Sequence, residues 1–199
     1  MAGISAAITI EDTEVNAALA RVEEAGGNTL ALMQDISAAM LFSVQRRFES
    51  ETAPDGQAWP RHAPRTARAR LNRKRRGNQP ITPRLLRQSN RLFKSIVAEA
   101  SDAQAATGTN LVYAAIHQQG GTITQYPQSR QVRFRKVGNQ TRFARKAHKR
   151  AFEKPVTFGQ RTIVIPARPY LGFSDEDRAE LLRLADVHFE QAASGGSGS

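Results

Sequence analysis

The stretch that decides the fold is residues 29–51, "TLALMQDISAAMLFSVQRRFESE". Its apolar side chains recur at steps of three and four residues, which is the spacing of one face of an α-helix. The stripe consists of Leu30, Met33, Ile36, Met40, Leu41, Val44 and Phe48. We therefore predict a helix of about six turns over this range. Asn28 can serve as its N-cap because an asparagine side chain accepts a bond from a free backbone N–H.

Shorter elements flank this helix on both sides. Ahead of it, residues 3–10, "GISAAITI", predict a strand, and residues 11–27, "EDTEVNAALARVEEAGG", predict a short helix that ends at the double glycine. After it, "APDGQAWP" at 53–60 predicts a turn, which is followed by the single tryptophan, Trp59. We expect Trp59 to be a buried anchor behind this turn.

The second half begins with mixed elements. Helical spacing resumes over 84–96, and the segments 95–101 and 103–109 predict a β-hairpin. Residues 110–119, "NLVYAAIHQQ", predict a short helix that is closed by Gly120 and Gly121, since glycine favours the left-handed conformation of a C-terminal cap.

The rest of the chain predicts a basic loop over 122–163, and "TIVIPARPYLGF" at 162–173 predicts a strand that leads into a rigid turn. A final helix is expected over 174–191, with Ser174 as N-cap and Asp177 three residues later. Residues 193–199, "ASGGSGS", predict a flexible tail.

Positive charge is concentrated in two segments. The chain has 29 Lys and Arg against 18 Asp and Glu, for a net charge of +11. Segments 61–94 and 130–150 contain no acidic residue. Such segments favour a polyanion or an acidic protein surface as partner, although they could also be solvated loops without a role. The candidate partner-binding residues are Arg73, Lys74, Arg75, Arg76, Arg133, Arg135, Arg142, Arg145, Lys146, Lys149 and Arg150.

No motif for catalysis or metal binding is recognisable. The chain has no cysteine, which excludes thiolate chemistry and disulfides and suggests a reducing compartment. It lacks a G-x-S-x-G elbow and a phosphate-binding loop with its lysine. No apolar run approaches the about 18 residues of a membrane span, and no secretory signal is visible. The four histidines, which are not at ligand spacing, are His62, His117, His148 and His188. We therefore expect no enzyme, metal, cofactor or membrane contact.

Two positions have stronger structural than catalytic interpretations. His117 would lie near the end of a short helix, where a histidine can bond free carbonyl groups. Arg168 lies between Pro166 and Pro169, and the proline after Arg168 restricts it to extended geometry. For Arg168 we expect a structural ion pair.

Four landmarks occur in a fixed order: "PDGQAW" at 54–59 after the helix that ends near Phe48, "LLRQSNRLFKSI" at 85–96, "GTNLVYAAIHQQGG" at 108–121 and "IPARPYLGFSDED" at 165–177. Their order and wording resemble the phage virion morphogenesis family, the tail-completion and neck proteins of tailed phages, particularly Mu-like phages. The resemblance covers about Phe48 to Gly172. Ser89-Asn90 replaces the family's Thr-Gly, and Tyr170 replaces its usual Phe. Asparagine tolerates the left-handed conformation, so we expect that turn to be kept.

The resemblance implies an α+β fold, with a small antiparallel sheet packed against a long helix. The charge and the missing apolar periodicity add extended basic loops at 61–83 and 122–163. The resemblance also implies one domain over 1–192 in a structural protein that forms a homo-oligomeric ring, a hexamer or dodecamer, at the head–tail junction. Its partners there would be portal or adaptor and tail-tube or terminator proteins. The host cytoplasm would be the place of assembly. Fold-defining or ring-interface positions would be Trp59, Tyr113, His117, Gln118, Gly120, Gly121, Pro166, Arg168 and Pro169.

Two roles for the basic segments stay open in that setting. They could face the channel that contains packaged DNA, or they could bind acidic surfaces of neighbouring subunits. The alternative function is a free nucleic-acid-binding protein, which the charge favours. The shortage of aromatic residues within the basic segments speaks against it.

Overall fold

A computed structural model describes residues 12–24, 28–71, 84–144 and 148–195. It is a mixed α and β fold with small antiparallel sheets and two long helices, as predicted. The elements, in chain order, are α1 Thr13–Glu24, α2 Thr29–Ser50, α3 Pro64–Leu71, α4 Arg91–Lys94, β1 Val97–Ser101, β2 Gln104–Gly108, α5 Ala114–Gln119, β3 Gly121–Gln125, β4 Gln128–Val137, β5 Gln140–Phe143, β6 Phe152–Phe158, β7 Arg161–Ile165 and α6 Asp175–Gly195.

The chain divides into two compact units. We call the first unit the body; it comprises the described residues up to Gly120 and from Pro166 onward. The second unit, Gly121–Ile165, we call the β-extension. The body contains every helix among the described residues together with the β1–β2 hairpin, whereas the β-extension contains β3 to β7.

Helix α2 confirms the prediction made from its apolar stripe. Asn28 accepts a hydrogen bond from the Ala31 N–H at 3.0 Å, and this caps the first turn. The helix ends where Glu51 adopts a left-handed conformation with φ 58°. Met33, Ile36, Val44 and Phe48 are buried, so the predicted stripe is the face that packs against the rest of the body.

Two hydrophobic clusters lie along α2. The N-terminal cluster joins α2 to α1 and α6 through Val22, Leu32, Ile36 and Leu181. The second cluster centres on Phe48, whose ring centre lies 5.4 Å from that of Trp59, 5.3 Å from Tyr170 and 5.6 Å from Phe93. Trp59 is only 2% exposed, which confirms its prediction as a buried anchor.

The predicted hairpin and final helix are also present. β1 pairs antiparallel with β2. At the start of α6, the Ser174 hydroxyl accepts from the Asp177 N–H at 3.2 Å, and the Asp177 carboxylate accepts from the Ser174 N–H at 2.9 Å. This reciprocal pair is the capping box that the sequence predicts.

The prediction of a basic loop over 122–163 is wrong, because this range contains most of five strands. β3 pairs with β7, and β4 pairs with both β5 and β6, all antiparallel. The alternation in "QVRFRKV" has the two-residue period of a strand. The high charge of the segment favours a loop when the segment is considered alone, but pairing with the nearby strands β5 and β6 makes it a strand.

Three element boundaries also differ from prediction. The helix expected over 84–96 is limited to α4, because Leu86 and Asn90 adopt left-handed conformations with φ 54° and 55°. Asn90 thus keeps the turn expected of it. The helix expected over 110–119 begins only at Ala114, and α6 continues to Gly195, beyond the expected start of a flexible tail at 193.

Two further predictions fall partly or wholly outside the described residues. The described part of the expected loop 61–83 contains α3. Residues 72–83, the expected strand at 3–10 and the double glycine at 26–27 lie outside the described residues.

Candidate functional site

Side chains from distant parts of the body fix the backbone of Pro166–Gly172, which we call the 166–172 segment. The Trp59 indole N–H donates to the Pro169 carbonyl at 2.8 Å. The Gln118 side chain accepts from the N–H groups of Tyr170 and Leu171, both at 3.0 Å, and donates to the Leu171 carbonyl at 2.7 Å. A single buried amide thus saturates three backbone groups of an irregular segment, as buried polar groups require.

A buried arginine of α2 contacts the same segment. The Arg47 guanidinium donates to the carbonyls of Tyr170 at 3.2 Å and Gly172 at 2.9 Å, and it forms an ion pair with Asp177 of α6. Burial lowers the pKa of Arg47, and the Asp177 charge opposes that shift. Burial alone would raise the pKa of Asp177, but hydrogen bonds from Ser43 and Ser174 and the Arg47 charge together lower it. The pair therefore links α2, the 166–172 segment and α6.

Arg168 and His117 are joined by a hydrogen bond between their main chains. The Arg168 N–H donates to the His117 carbonyl at 2.8 Å, and its guanidinium donates to the carbonyls of Pro60 at 2.8 Å and Arg61 at 3.4 Å. These hydrogen bonds go to main-chain oxygens, and the ion pair expected for Arg168 stays a prediction. The half-buried His117 ring lies edge-on to Tyr113, with ring centres 5.9 Å apart. The carbonyl at the end of α5 is thus satisfied by the segment itself.

Tyr170, which replaces the usual phenylalanine, is fully buried and makes an added bond. Its hydroxyl donates to the Ala114 carbonyl at 3.2 Å. Burial raises its pKa to about 12. The additional oxygen of this tyrosine is therefore satisfied at the start of α5.

Gly120 and Gly172 adopt backbone conformations with positive φ, which other residues rarely adopt. Gly120 follows α5 with φ 73°, which favours glycine. At Gly172, φ is 147°, and an added Cβ would lie 2.6 Å from Cγ of Pro54. The proline of "PDGQAW" and the glycine of "PYLG" are therefore in direct contact, and a side chain at position 172 would collide with Pro54.

The chemistry of this region is structural. The polar groups of Arg47, Trp59, Gln118 and Arg168 are used to hold main-chain atoms. Among the residues that the structure describes, no group of three or more histidine, aspartate and glutamate side chains is placed to hold a metal ion. These hydrogen bonds fix the backbone of the 166–172 segment, which precedes α6.

The β-extension presents a different kind of site, a charged and aromatic surface. It contains eleven Lys and Arg but a single acidic residue, Glu153. The remaining chain holds eighteen basic and seventeen acidic residues. Nearly the whole net charge of +11 thus belongs to this unit. None of its described residues, 121–144 and 148–165, is buried.

The strands β5, β4 and β6 form a three-stranded sheet in that order. Their pairing assigns each side chain to one of its two faces. Phe134 of β4 stands opposite both Phe143 of β5 and Phe152 of β6. Its ring centre lies 5.2 Å from that of Phe143 and 6.2 Å from that of Phe152. Because side chains alternate along a strand, the same face also carries Phe158 and three cations. We call this the phenylalanine face; its cations are Arg130, Lys136 and Lys154.

The predicted partner-binding residues do not form one site. Arg133, Arg135 and Arg142 lie on the sheet face opposite the phenylalanines, where Arg133 pairs with Glu153 at 3.5 Å. Lys149 and Arg150 are exposed in the turn before β6. The others, Arg73, Lys74, Arg75, Arg76, Arg145 and Lys146, lie outside the described residues.

Sequence reasoning missed Arg47, its ion pair with Asp177 and the phenylalanine face. One available signal for Arg47 was its position three residues after Val44 on the buried side of α2. For the phenylalanines, the alternation around Phe134 marks a strand, but the register with Phe143 and Phe152 requires the strand pairing.

A membrane-spanning role finds no support in the described ranges, whose helices are too short or too polar to cross a bilayer.

Comparison with known proteins finds a family and one relative that match most of the chain. The model of the phage virion morphogenesis family matches residues 10–190. The "Mu-like prophage FluMu G protein 2" of Haemophilus influenzae is 27% identical over 177 residues, covering 89% of this chain and 90% of that protein. No solved structure gives a significant match. The chain therefore belongs to the phage virion morphogenesis family.

Proposed function

We propose that this protein is a structural component of the phage head–tail connection, a neck or tail-completion protein that forms a ring between the portal and the tail. Family membership supports a role in phage virion morphogenesis. The observation that carries the finer proposal is the contrast between a body with a closed core and a β-extension without a buried residue in its described part. Such an exposed surface is expected of a subunit whose neighbours in an assembly cover it.

A structural role also agrees with the use of the polar residues in the body. Gln118, Arg168 and Arg47 bind main-chain groups, and a residue committed in this way is poorly suited to bind a substrate. His117 is expected to act in the same structural way, so we expect no turnover to depend on it. The neighbours in the particle would be portal or adaptor proteins on one side and tail-tube or terminator proteins on the other.

The test is a phage that lacks this gene, examined by electron microscopy of the lysate. We expect filled heads and separate or incomplete tails, because a ring between two assemblies must bind each of them. The wild-type gene supplied in trans should restore joined virions. A gene that lacks residues 165–173 should not restore them. Complete infectious virions without the gene would contradict the proposal, and so would a lysate that contains no heads.

A nucleic-acid contact is the second candidate, and the charge of the β-extension favours it. Binding to random-sequence duplex DNA should be measured across a salt titration, since phosphate contacts give a steep salt dependence. On the proposed function, the isolated protein binds DNA weakly at physiological ionic strength. Tight binding under that condition would favour a free nucleic-acid-binding protein instead.

A further inference from the structure

The β-extension covers Gly121–Ile165, less than a quarter of the chain, but holds a larger share of the exposed large hydrophobic side chains. Of the fourteen large hydrophobic side chains that are exposed among the described residues, seven lie in this unit. They include Tyr126 at 76%, Val164 at 73% and Phe143 at 70% exposure. Contiguous exposed apolar surface marks interaction sites in soluble proteins. A partner is therefore expected to cover these strands.

The composition of this surface distinguishes between partners. The rings of Phe134 and Phe143 stack, so each covers one face of the other, while Phe143 remains 70% exposed. In the separate β3–β7 sheet, Ile123 and Ile163 stand opposite each other on one face and Val164 lies on the other, so aliphatic side chains are exposed on both faces. Nucleic-acid bases stack on open aromatic faces, and phosphates contact cations, but neither covers aliphatic side chains. A protein surface that is both acidic and partly apolar fits better.

The same chain carries such a surface on α1 and α6, which we call the acidic helix pair. These two helices pack side by side and together hold nine acidic and three basic residues. Glu23, Glu24 and Glu190 are exposed and make no ion pair with any described residue. Val187 of α6 is 37% exposed and lies three residues before Glu190, on the same side of the helix. Phe189, also 37% exposed, has the Arg21 guanidinium 6.0 Å from its ring centre.

We propose that the phenylalanine face of one copy, with Arg130, Lys136 and Lys154, docks on the acidic helix pair of a second copy. The charges are complementary, and both surfaces add apolar side chains to the contact, which gives affinity as well as steering. The two surfaces are different parts of the chain, so the contact is head-to-tail and propagates from copy to copy. The proposal rests on the proposed function in that a ring requires such a contact.

Charge exchange between two variants tests this contact. One variant carries Arg130→Glu, Lys136→Glu and Lys154→Glu; the other carries Glu23→Lys, Glu24→Lys and Glu190→Lys. Self-association of the purified full chain is measured by sedimentation velocity. Each variant alone should associate at least about tenfold more weakly than wild type, because like charges then face each other. An equimolar mixture should recover association, and so should one chain that carries both sets.

A matched control has the same charge change away from the phenylalanine face. It carries Arg135→Glu, Arg142→Glu and Lys149→Glu, and its self-association should stay near that of wild type. Far-ultraviolet circular dichroism checks the fold of every variant. Should the charge variants not fold, Phe143→Ser on the exposed edge strand is the substitute, with an expected loss of about tenfold in association.

Several results would overturn the proposal. One is a wild-type chain that is monomeric at every attainable concentration. A second is a mixture of the two variants that does not associate, which would indicate docking within one chain or on a different acidic protein. A third is a variant that loses binding to duplex DNA while associating normally. Self-association through this contact, together with complete virions from the gene-deleted phage, would contradict the proposed function alone.

Discussion

In the body, seventeen hydrophobic residues are buried, whereas in the described part of the β-extension none is. Both units satisfy backbone groups, the body largely through helices and the β-extension through strand ladders. In the body the apolar side chains pack into two buried clusters, whereas the side-chain contacts of the β-extension, such as that of Arg133 with Glu153, lie at its surface. A sheet that exposes both faces has little hydrophobic stabilisation of its own. The difference indicates that the body provides most of the hydrophobic stabilisation of the free chain. On the proposed function, the β-extension provides surface for assembly.

The largest expected effect comes from Arg47→Ala in the body. Removing one partner leaves Asp177 buried and uncompensated, so we expect a loss of about 4 kcal/mol in the free energy of unfolding. Urea unfolding measures it. The neighbouring Arg46→Ala is the matched control, because its ion pair with Glu176 is exposed and should contribute less than about 1 kcal/mol. Equal effects of the two changes would refute the importance of the buried pair.

Substituting one glycine in each unit by alanine compares how tightly the body and the β-extension are packed. Gly172→Ala places a Cβ against Pro54 in an unfavourable conformation, and we expect a loss of about 2 kcal/mol. Gly159→Ala in the β-extension meets no atom within 4 Å and should leave stability nearly unchanged. Thermal unfolding of both variants decides this, and a tolerated Gly172→Ala would show that the body is less tightly packed there.

Tyr170→Phe tests the buried hydroxyl. Its loss leaves the Ala114 carbonyl without that donor, at an expected cost of about 1 kcal/mol. The pKa of Tyr170 is raised by burial from 10.0 to about 12, so the unfolded chain loses this proton first as pH rises. Its contribution is therefore complete below pH 10 and falls as the pH approaches 12. Wild type and Tyr170→Phe should differ in stability at neutral pH and converge at alkaline pH; parallel curves would contradict this.

The smallest expected effect on stability is that of Phe143→Ser. Phe143 is 70% exposed, so the free chain should lose less than about 0.5 kcal/mol. Chemical denaturation of the dilute protein provides the measurement. A loss as large as that of Arg47→Ala would mean that the phenylalanine face is part of the core, and the contrast between the two units would fail.

The sequence predicts the elements whose information is local. The apolar stripe of α2, the capping box of Ser174 and Asp177 and the left-handed Asn90 each depend on residues within one turn or a few turns of the chain. Arg47 could not be assigned, because its partners lie more than a hundred residues away. Of the strands of the β-extension, β7 agrees with the strand expected at 162–173. The strands β3 to β6 were missed, since charged side chains on a sheet exposed on both faces weaken the alternation that marks a strand.

Hydrogen–deuterium exchange of the full chain, measured on the dilute free protein and on the assembled particle, tests the central claim most directly. Exchange protection reports local stability. Our account predicts that amides of α2 and α6 are protected in both states, whereas amides of β4, β5 and β6 exchange rapidly in the free chain and become protected on assembly. Equal protection of the β-extension and the body in the free chain would contradict the claim.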